Sequence, residues 1–223
     1  MKAVTLMSGG QDSTTCLAWA LKQYGKGEVA AITFDYGQTH DTEIAASKEI
    51  CRLLNVRQVV IRLDFLPDIT SSALLKNSDT TFAEKDMPAT FVPNRNQLFI
   101  TIAHAYAQKE GAGHLIVGAC DADVYPDNKR GYIAAIEKAS NLGSGADIRI
   151  DTPLIFADKA RVFAMAEELG VLDIVLKQSR TCYKGEDTLH EWGMGCGECT
   201  ACKARAKGFR EYVQEKYQGG LYH

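Results

Sequence analysis

The chain has 223 residues, 46% apolar and 24% charged, with a formal net charge of −3. That length fits one sizeable α/β domain with room for a small appendage. The slight acidic excess argues against broad, sequence-independent nucleic-acid binding, which draws on a basic surface.

No apolar run approaches the roughly 18 residues of a membrane span, so no membrane partner is expected. The N-terminus reads as strand and loop rather than as a signal peptide. Seven cysteines without a secretory signal point to metal binding or catalysis in the cytoplasm, not to a disulfide framework. There is no internal repeat and no low-complexity segment.

Ala3-Val4-Thr5-Leu6-Met7 reads as a buried strand, and residues 16–21 read as a helix. Between them lies Ser8-Gly9-Gly10-Gln11-Asp12-Ser13-Thr14-Thr15. A glycine-rich turn there gathers backbone N–H groups at a helix N-terminus, where they hold an anion. Gly9 and Gly10 permit close approach of a phosphate; Ser8, Ser13, Thr14 and Thr15 add hydroxyls without bulk. A Walker A loop would need Gly-x-x-x-x-Gly-Lys-Ser/Thr, and a dinucleotide fingerprint Gly-x-Gly-x-x-Gly. This loop is neither.

Residues 28–34 read as a second buried strand, ending in the polar turn Asp35-Tyr36-Gly37-Gln38. Ligands of open parallel sheets sit outside such strand ends, so Asp35 reads equally as a nucleotide contact or as a turn former. A helix over residues 41–54 carries Ala46, Ile50 and Leu53 on one face, with Cys51 as core filler. Val59-Val60-Ile61 is the third strand, and the alternation argues for a parallel sheet. From 64 to 93 the periodicity fails apart from a short helical stretch near 69–75. With Phe82, Met87 and Phe91 present, this segment reads as a lid or a dimer contact.

Val92-Pro93-Asn94-Arg95-Asn96 leads into a helix bearing Phe99, Ile102, Ala103 and Tyr106. Asn94 or Asn96 is a candidate cap, and Arg95 a candidate contact for a polar heterocycle or phosphate. Residues 114–118 form the fourth strand, followed by an acidic loop with Asp121, Asp123, Tyr125 and Asp127. That loop reads either as substrate-reading or as a solvated turn. A helix over 129–142, a strand over 148–154 and a helix opened by Asp158-Lys159 follow. Lys159 sits in a first turn, where the helix dipole disfavours a cation, so a phosphate contact is expected of it. A short helix over 173–178 leads to the last motif.

Cys182, Cys196, Cys199 and Cys202 are spaced C-x13-C-x2-C-x2-C. Four such thiolates suit tetrahedral zinc, with Gly193, Gly195 and Gly197 allowing the tight turn. An iron–sulfur cluster uses the same ligands, redox CxxC chemistry is a third reading, and His190 is a candidate replacement ligand.

The Ser-Gly-Gly-x-Asp-Ser loop resembles the pyrophosphate loop of the N-type ATP pyrophosphatases. The loop, Asp35-Tyr36-Gly37-Gln38, Val92-Pro93-Asn94-Arg95-Asn96 and Cys182-Tyr183 with the later cysteine triplet together resemble the 7-cyano-7-deazaguanine synthases. The likeness runs along essentially the whole chain; Gly118-Ala119-Cys120-Asp121-Ala122-Asp123 departs from the usual spelling.

The resemblance implies an α/β fold: a Rossmann-like, adenine nucleotide alpha hydrolase-like parallel sheet with helices on both faces and a C-terminal zinc-binding subregion. Residues 1–180 would form the ATP domain and 181–223 a zinc knuckle and helix packed on it. It implies conversion of 7-carboxy-7-deazaguanine and ammonia to the nitrile, with Mg2+ and ATP consumed to AMP and pyrophosphate, by a homodimer. ATP contacts are expected from Met7, Ser8, Gly9, Gly10, Gln11, Asp12, Ser13, Thr14, Thr15, Cys16, Leu17 and Asp35. Catalytic roles fall to Ser8, Asp12, Ser13 and Lys159, and base contacts to Gln38, Arg95, Asp121, Asp123, Tyr125 and Asp127. A tRNA-thiolating relative and a non-catalytic nucleotide-binding module with a zinc knuckle are the rival readings.

Overall fold

The computed structural model describes residues 1–70, 72, 74–75, 88, 90–121 and 124–219. Asp123 and most of the expected lid segment, including Phe82 and Met87, lie outside the described residues. Five parallel strands form the central sheet: β1 (Ala3–Leu6), β2 (Val29–Asp35), β3 (Arg57–Arg62), β4 (His114–Ile116) and β5 (Arg149–Asp151). Their order is β3-β2-β1-β4-β5, so the chain reverses direction across the sheet between β1 and β4. Ligands of doubly wound sheets bind at that reversal.

The central strands are mostly apolar because both of their faces are covered. On one face Val4, Ile32, Phe34 and Leu115 pack against Ile100 and Ala103 of α4 (Arg95–Lys109) and Ile133 and Ile136 of α5 (Arg130–Ser144). On the other, Ala3, Ala31 and Ile116 meet Leu17 and Ala20 of α1 (Gln11–Tyr24), Ile50 of α2 (Thr42–Leu53) and Val162 of α6 (Lys159–Glu168). Helices therefore lie on both faces, as the alternation of elements leads one to expect.

Several boundaries differ from those read in the sequence. Helix α1 begins at Gln11, inside the glycine loop. Thr14 N and Oγ1 both donate to Gly10 O, at 3.1 and 2.7 Å, and draw the threonines into the first turn. The short helix after β3 is α3 (Leu66–Ile69), with Pro67 in its first turn, where a missing N–H is tolerated. Strands β4 and β5 are three residues each, shorter than expected, and β3 is longer. Asn94 has a left-handed backbone (φ 59°) and makes no side-chain cap. Asn96 Nδ2 instead donates to Asn128 Oδ1 at 2.9 Å. Asp158 caps α6 as expected, accepting from Arg161 N at 2.8 Å.

The C-terminal region comprises α7 (Leu172–Gln178), a two-stranded hairpin of β6 (Leu189–His190) and β7 (Gly193–Met194), and α8 (Thr200–Gly219). Phe163, Ala166, Val175 and Tyr212 join α6, α7 and α8 in one cluster. Helix α8 comes close to α6 at Gly208, where a Cβ would collide with Lys159. Overpacking of this kind costs about 1–3 kcal/mol, against about 1 kcal/mol of helix propensity that alanine supplies. Gly208→Ala is expected to lower the urea midpoint with an unchanged slope.

Candidate active site and metal centre

The glycine loop follows β1 at the point where the strand order reverses, with Gly118 after β4 beside it: a Cβ on Gly118 would sit 3.5 Å from Ser13 N. The loop is tied to itself through serines. Ser8 N and Gly10 N donate to Ser13 Oγ (3.2 Å) and Ser8 Oγ (3.3 Å), and the two hydroxyls lie 3.0 Å apart. Gly9 has φ +92°, a conformation that favours glycine, and any side chain there would strike the Glu43 carbonyl. From the opposite side Arg180 N donates to Gly9 O at 2.8 Å. The loop is thus held between α2 and the segment leading to Cys182.

A cavity of ≈ 270 Å³ opens above it. Met7, Ser8, Gly10, Gln11, Asp12 and Ser13 line it; Gln38, Arg95, Tyr125 and Asp127 line it from the other elements. The sequence grouped further residues with these, and the structure places them elsewhere. Thr14 and Thr15 spend their hydroxyls on backbone carbonyls. Cys16 and Leu17 are fully buried in the core, and burial pushes the Cys16 thiol far up. Asp35, the last residue of β2, lies outside the lining, to which its neighbours Phe34 and Tyr36 contribute instead. Asp121 also stands away, its Oδ1 accepting from Arg130 N at 2.9 Å at the start of α5.

Lys159 does not line the cavity either; its Nζ donates to Asp12 Oδ2 at 2.6 Å. Asp12 Oδ1 is buried with no hydrogen-bond partner among the described residues. A buried carboxylate oxygen left over in this way suits a cation, so the loop fits a magnesium ion carried with a nucleotide.

Arg95 and Asp127, which the sequence offers as base contacts, and Glu43, which it does not single out, supply the electrostatics. Arg95 Cζ lies 5.8 Å from the Tyr36 ring centroid and 5.9 Å from that of Phe99. Burial opposes its charge, but Tyr36, Asp127 and Glu43 outweigh that and keep it cationic. Glu43, in the first turn of α2, lines the cavity as well. Loss of water pushes its carboxyl up to about 7 despite the pull of Arg95. In the sequence Glu43 looks like an ordinary acidic residue favoured at a helix start, and nothing local distinguishes it. Asn96, Asn128, Thr181, Cys182 and Tyr183 also line the cavity.

The sulfurs of Cys182, Cys196, Cys199 and Cys202 all lie within 4.8 Å of one another. A tetrahedral ion with bonds of about 2.3 Å to sulfur needs sulfurs about 3.8 Å apart, and Cys196 and Cys202 are separated by 3.9 Å. Burial opposes ionisation of Cys196, but the amides of Cys199 and Glu198, each donating at 3.3 Å, bring its thiol down to about 6. The four cysteines form a site that can hold a metal ion. His190 is not part of it: its ring stacks on Trp192 with centroids 4.5 Å apart, and Nε2 lies 3.0 Å from Gly195 O.

The raised Glu43 carboxyl has a signed consequence for stability. Between the ordinary carboxyl value and about 7, the folded state keeps a proton that the unfolded chain has released. Stability therefore falls as pH rises through that window, and the penalty is complete above it. Glu43→Gln removes it, so the melting-temperature difference, variant minus wild type, is expected to increase from about pH 4 to about pH 8.

The model for the family described as "Queuosine biosynthesis protein QueC" matches residues 2–213. A protein of Helicobacter pylori (strain Shi470) named 7-cyano-7-deazaguanine synthase is 49% identical over 217 residues, covering 94% of this chain and 95% of that one. Proteins of the same name from Wolinella succinogenes and Janthinobacterium sp. (strain Marseille) are 48% and 40% identical, covering 94% and 96% of this chain and 93% and 97% of their own. Among solved structures, the NH3-dependent NAD synthetase of Campylobacter jejuni superposes with a TM-score of 0.50 at 16% identity, over 78% of this chain and 66% of that one. That likeness concerns the fold alone. No helix among the described residues is long and apolar enough to cross a membrane. On the full-length match and these identities, the chain belongs to the QueC family of queuosine biosynthesis proteins.

Proposed function

We propose that the protein is a cytoplasmic, homodimeric ligase that joins ammonia to 7-carboxy-7-deazaguanine and carries the product on to 7-cyano-7-deazaguanine, consuming ATP. The observation that carries this reading is one continuous cavity. Its lining brings together the tied glycine loop and Arg95, Tyr36, Glu43 and Asp127. A nucleotide and a polar heterocycle meet in such a space.

A carboxylate is a poor electrophile until its oxygen becomes a leaving group. One carboxylate oxygen attacks the α-phosphorus of ATP, the bond to the β-phosphate oxygen breaks, and pyrophosphate leaves. Ser8 and Ser13 tie the loop into one shape, so the site meets that departing charge already ordered, as electrostatic stabilisation requires. A magnesium ion bound with ATP would supply further positive charge at the phosphate oxygens. Lys159 acts through Asp12, which it orients.

Ammonia then attacks the acyl carbon. AMP departs with the C–O bond pair, and the Glu43 carboxylate takes the surplus proton from nitrogen. The amide oxygen attacks a second ATP in the same way. Loss of the nitrogen protons and of AMP leaves the carbon–nitrogen triple bond. A carboxyl titrating at about 7 is matched to accepting and releasing protons at neutral pH. The four cysteines, with no open coordination position, would hold zinc in a structural role.

Incubation with ATP, magnesium, ammonium and 7-carboxy-7-deazaguanine is expected to give the nitrile by mass spectrometry, with AMP and pyrophosphate. ADP and phosphate would overturn the loop assignment. Elemental analysis is expected to find zinc and no visible chromophore; a chromophore that follows iron content would instead favour the tRNA-thiolase reading.

A further inference from the structure

Arg205 of α8 is among the largest fully buried side chains, with 1% of its surface exposed. Among the described residues no carboxylate forms an ion pair with it. Its guanidinium is satisfied by neutral groups: Nε donates to Trp192 O at 3.0 Å, Nη2 to Val175 O at 2.7 Å, and Nη1 to Thr181 Oγ1 at 3.0 Å and Ser179 O at 3.4 Å. Gly193 leaves the space it occupies, since a Cβ there would run into the guanidinium. Burying a cation without a counter-charge is costly. Burial, together with the neighbouring charge of Arg180, brings its pKa down to about 10, while Asp12 and Cys202 pull the other way.

The groups that Arg205 holds belong to the wall of the nucleotide cavity. Its hydrogen bonds fix the chain from the end of α7 to Thr181. One residue earlier Arg180 N donates to Gly9 O. The Thr181 methyl lies 3.2 Å from where a Cβ of Gly10 would stand, and Thr181, Cys182 and Tyr183 line the cavity. The buried charge therefore stands directly behind the loop that receives the phosphates.

We propose that Arg205 is a positioning residue of the nucleotide site: it presses residues 179–183 against the glycine loop. This rests on the reading that the loop binds ATP. The role differs from packing in what it moves. A packing residue alters stability alone, whereas this one sets affinity for ATP and leaves affinity for the carboxylate substrate unchanged.

The test compares wild type, Arg205→Gln and Arg205→Lys, each checked for metal content and circular dichroism. Binding of α,β-methylene-ATP is measured by calorimetry, and KM is measured for ATP and for the acid. Arg205→Gln is expected to weaken binding of the analogue by about tenfold or more, the loss typical of a charged hydrogen-bonding group, with KM for the acid unchanged. Arg205→Lys, which keeps the charge, is expected to recover part of the loss. A variant that melts earlier but binds the analogue as wild type does would overturn the proposal.

If Arg205→Gln loses metal or structure, Arg205→Lys decides, because it keeps the charge but cannot reproduce all four hydrogen bonds of the guanidinium. Weaker analogue binding supports the role and unchanged binding overturns it. Failure of wild type to bind the analogue at all would instead defeat the ATP reading.

Discussion

The hydrogen bond from Arg180 N to Gly9 O is the contact on which the site depends. A glycine loop alone is conformationally free, and the entropy of ordering it would be drawn from ligand binding. Here the loop is fixed beforehand. Helix α2 closes on it at Glu43, the serines tie it internally, and the chain entering the cysteine knuckle holds it from behind. Donors aimed in advance at the position of developing charge stabilise that charge most effectively.

The metal centre takes its meaning from the same arrangement. Cys182 is at once one of the four clustered cysteines and part of the cavity wall. Cys202 lies on α8 one turn before Arg205, so an ion held at the cysteines would fix the same stretch of chain as the buried guanidinium, from a second direction. Gly208 brings α8 against Lys159, and Lys159 reaches Asp12. The C-terminal region thus meets the glycine loop at two places, through residues 180–183 and through Lys159.

Much of this was legible in the residues. The strand–loop–helix pattern at residues 3–21, the parallel alternation and the convergence of four cysteines follow from local chemistry: apolar runs, glycine conformations and ligand spacing. What local chemistry could not reveal was direction. Thr14, Thr15, Cys16 and Leu17 belong to the motif by position, but the helix begins at Gln11 and turns them inward. Asp35 and Asp121 look like ligand contacts because they stand beside strand ends, and they lie outside the cavity. Glu43 and Arg205 gave the opposite error. Each is an ordinary charged helical residue in sequence, and only tertiary packing strips the water from it and gives it a role.

The central claim is that the loop serves to turn carboxylate oxygen into the oxygen of AMP. Substrate carrying 18O in both carboxylate oxygens tests it directly, with the products separated and weighed by mass spectrometry. The account predicts one 18O in each AMP formed, two AMP for every nitrile, and no label in pyrophosphate. Unlabelled AMP, or label in pyrophosphate or inorganic phosphate, would mean that the acid is activated at another phosphorus and would contradict the account.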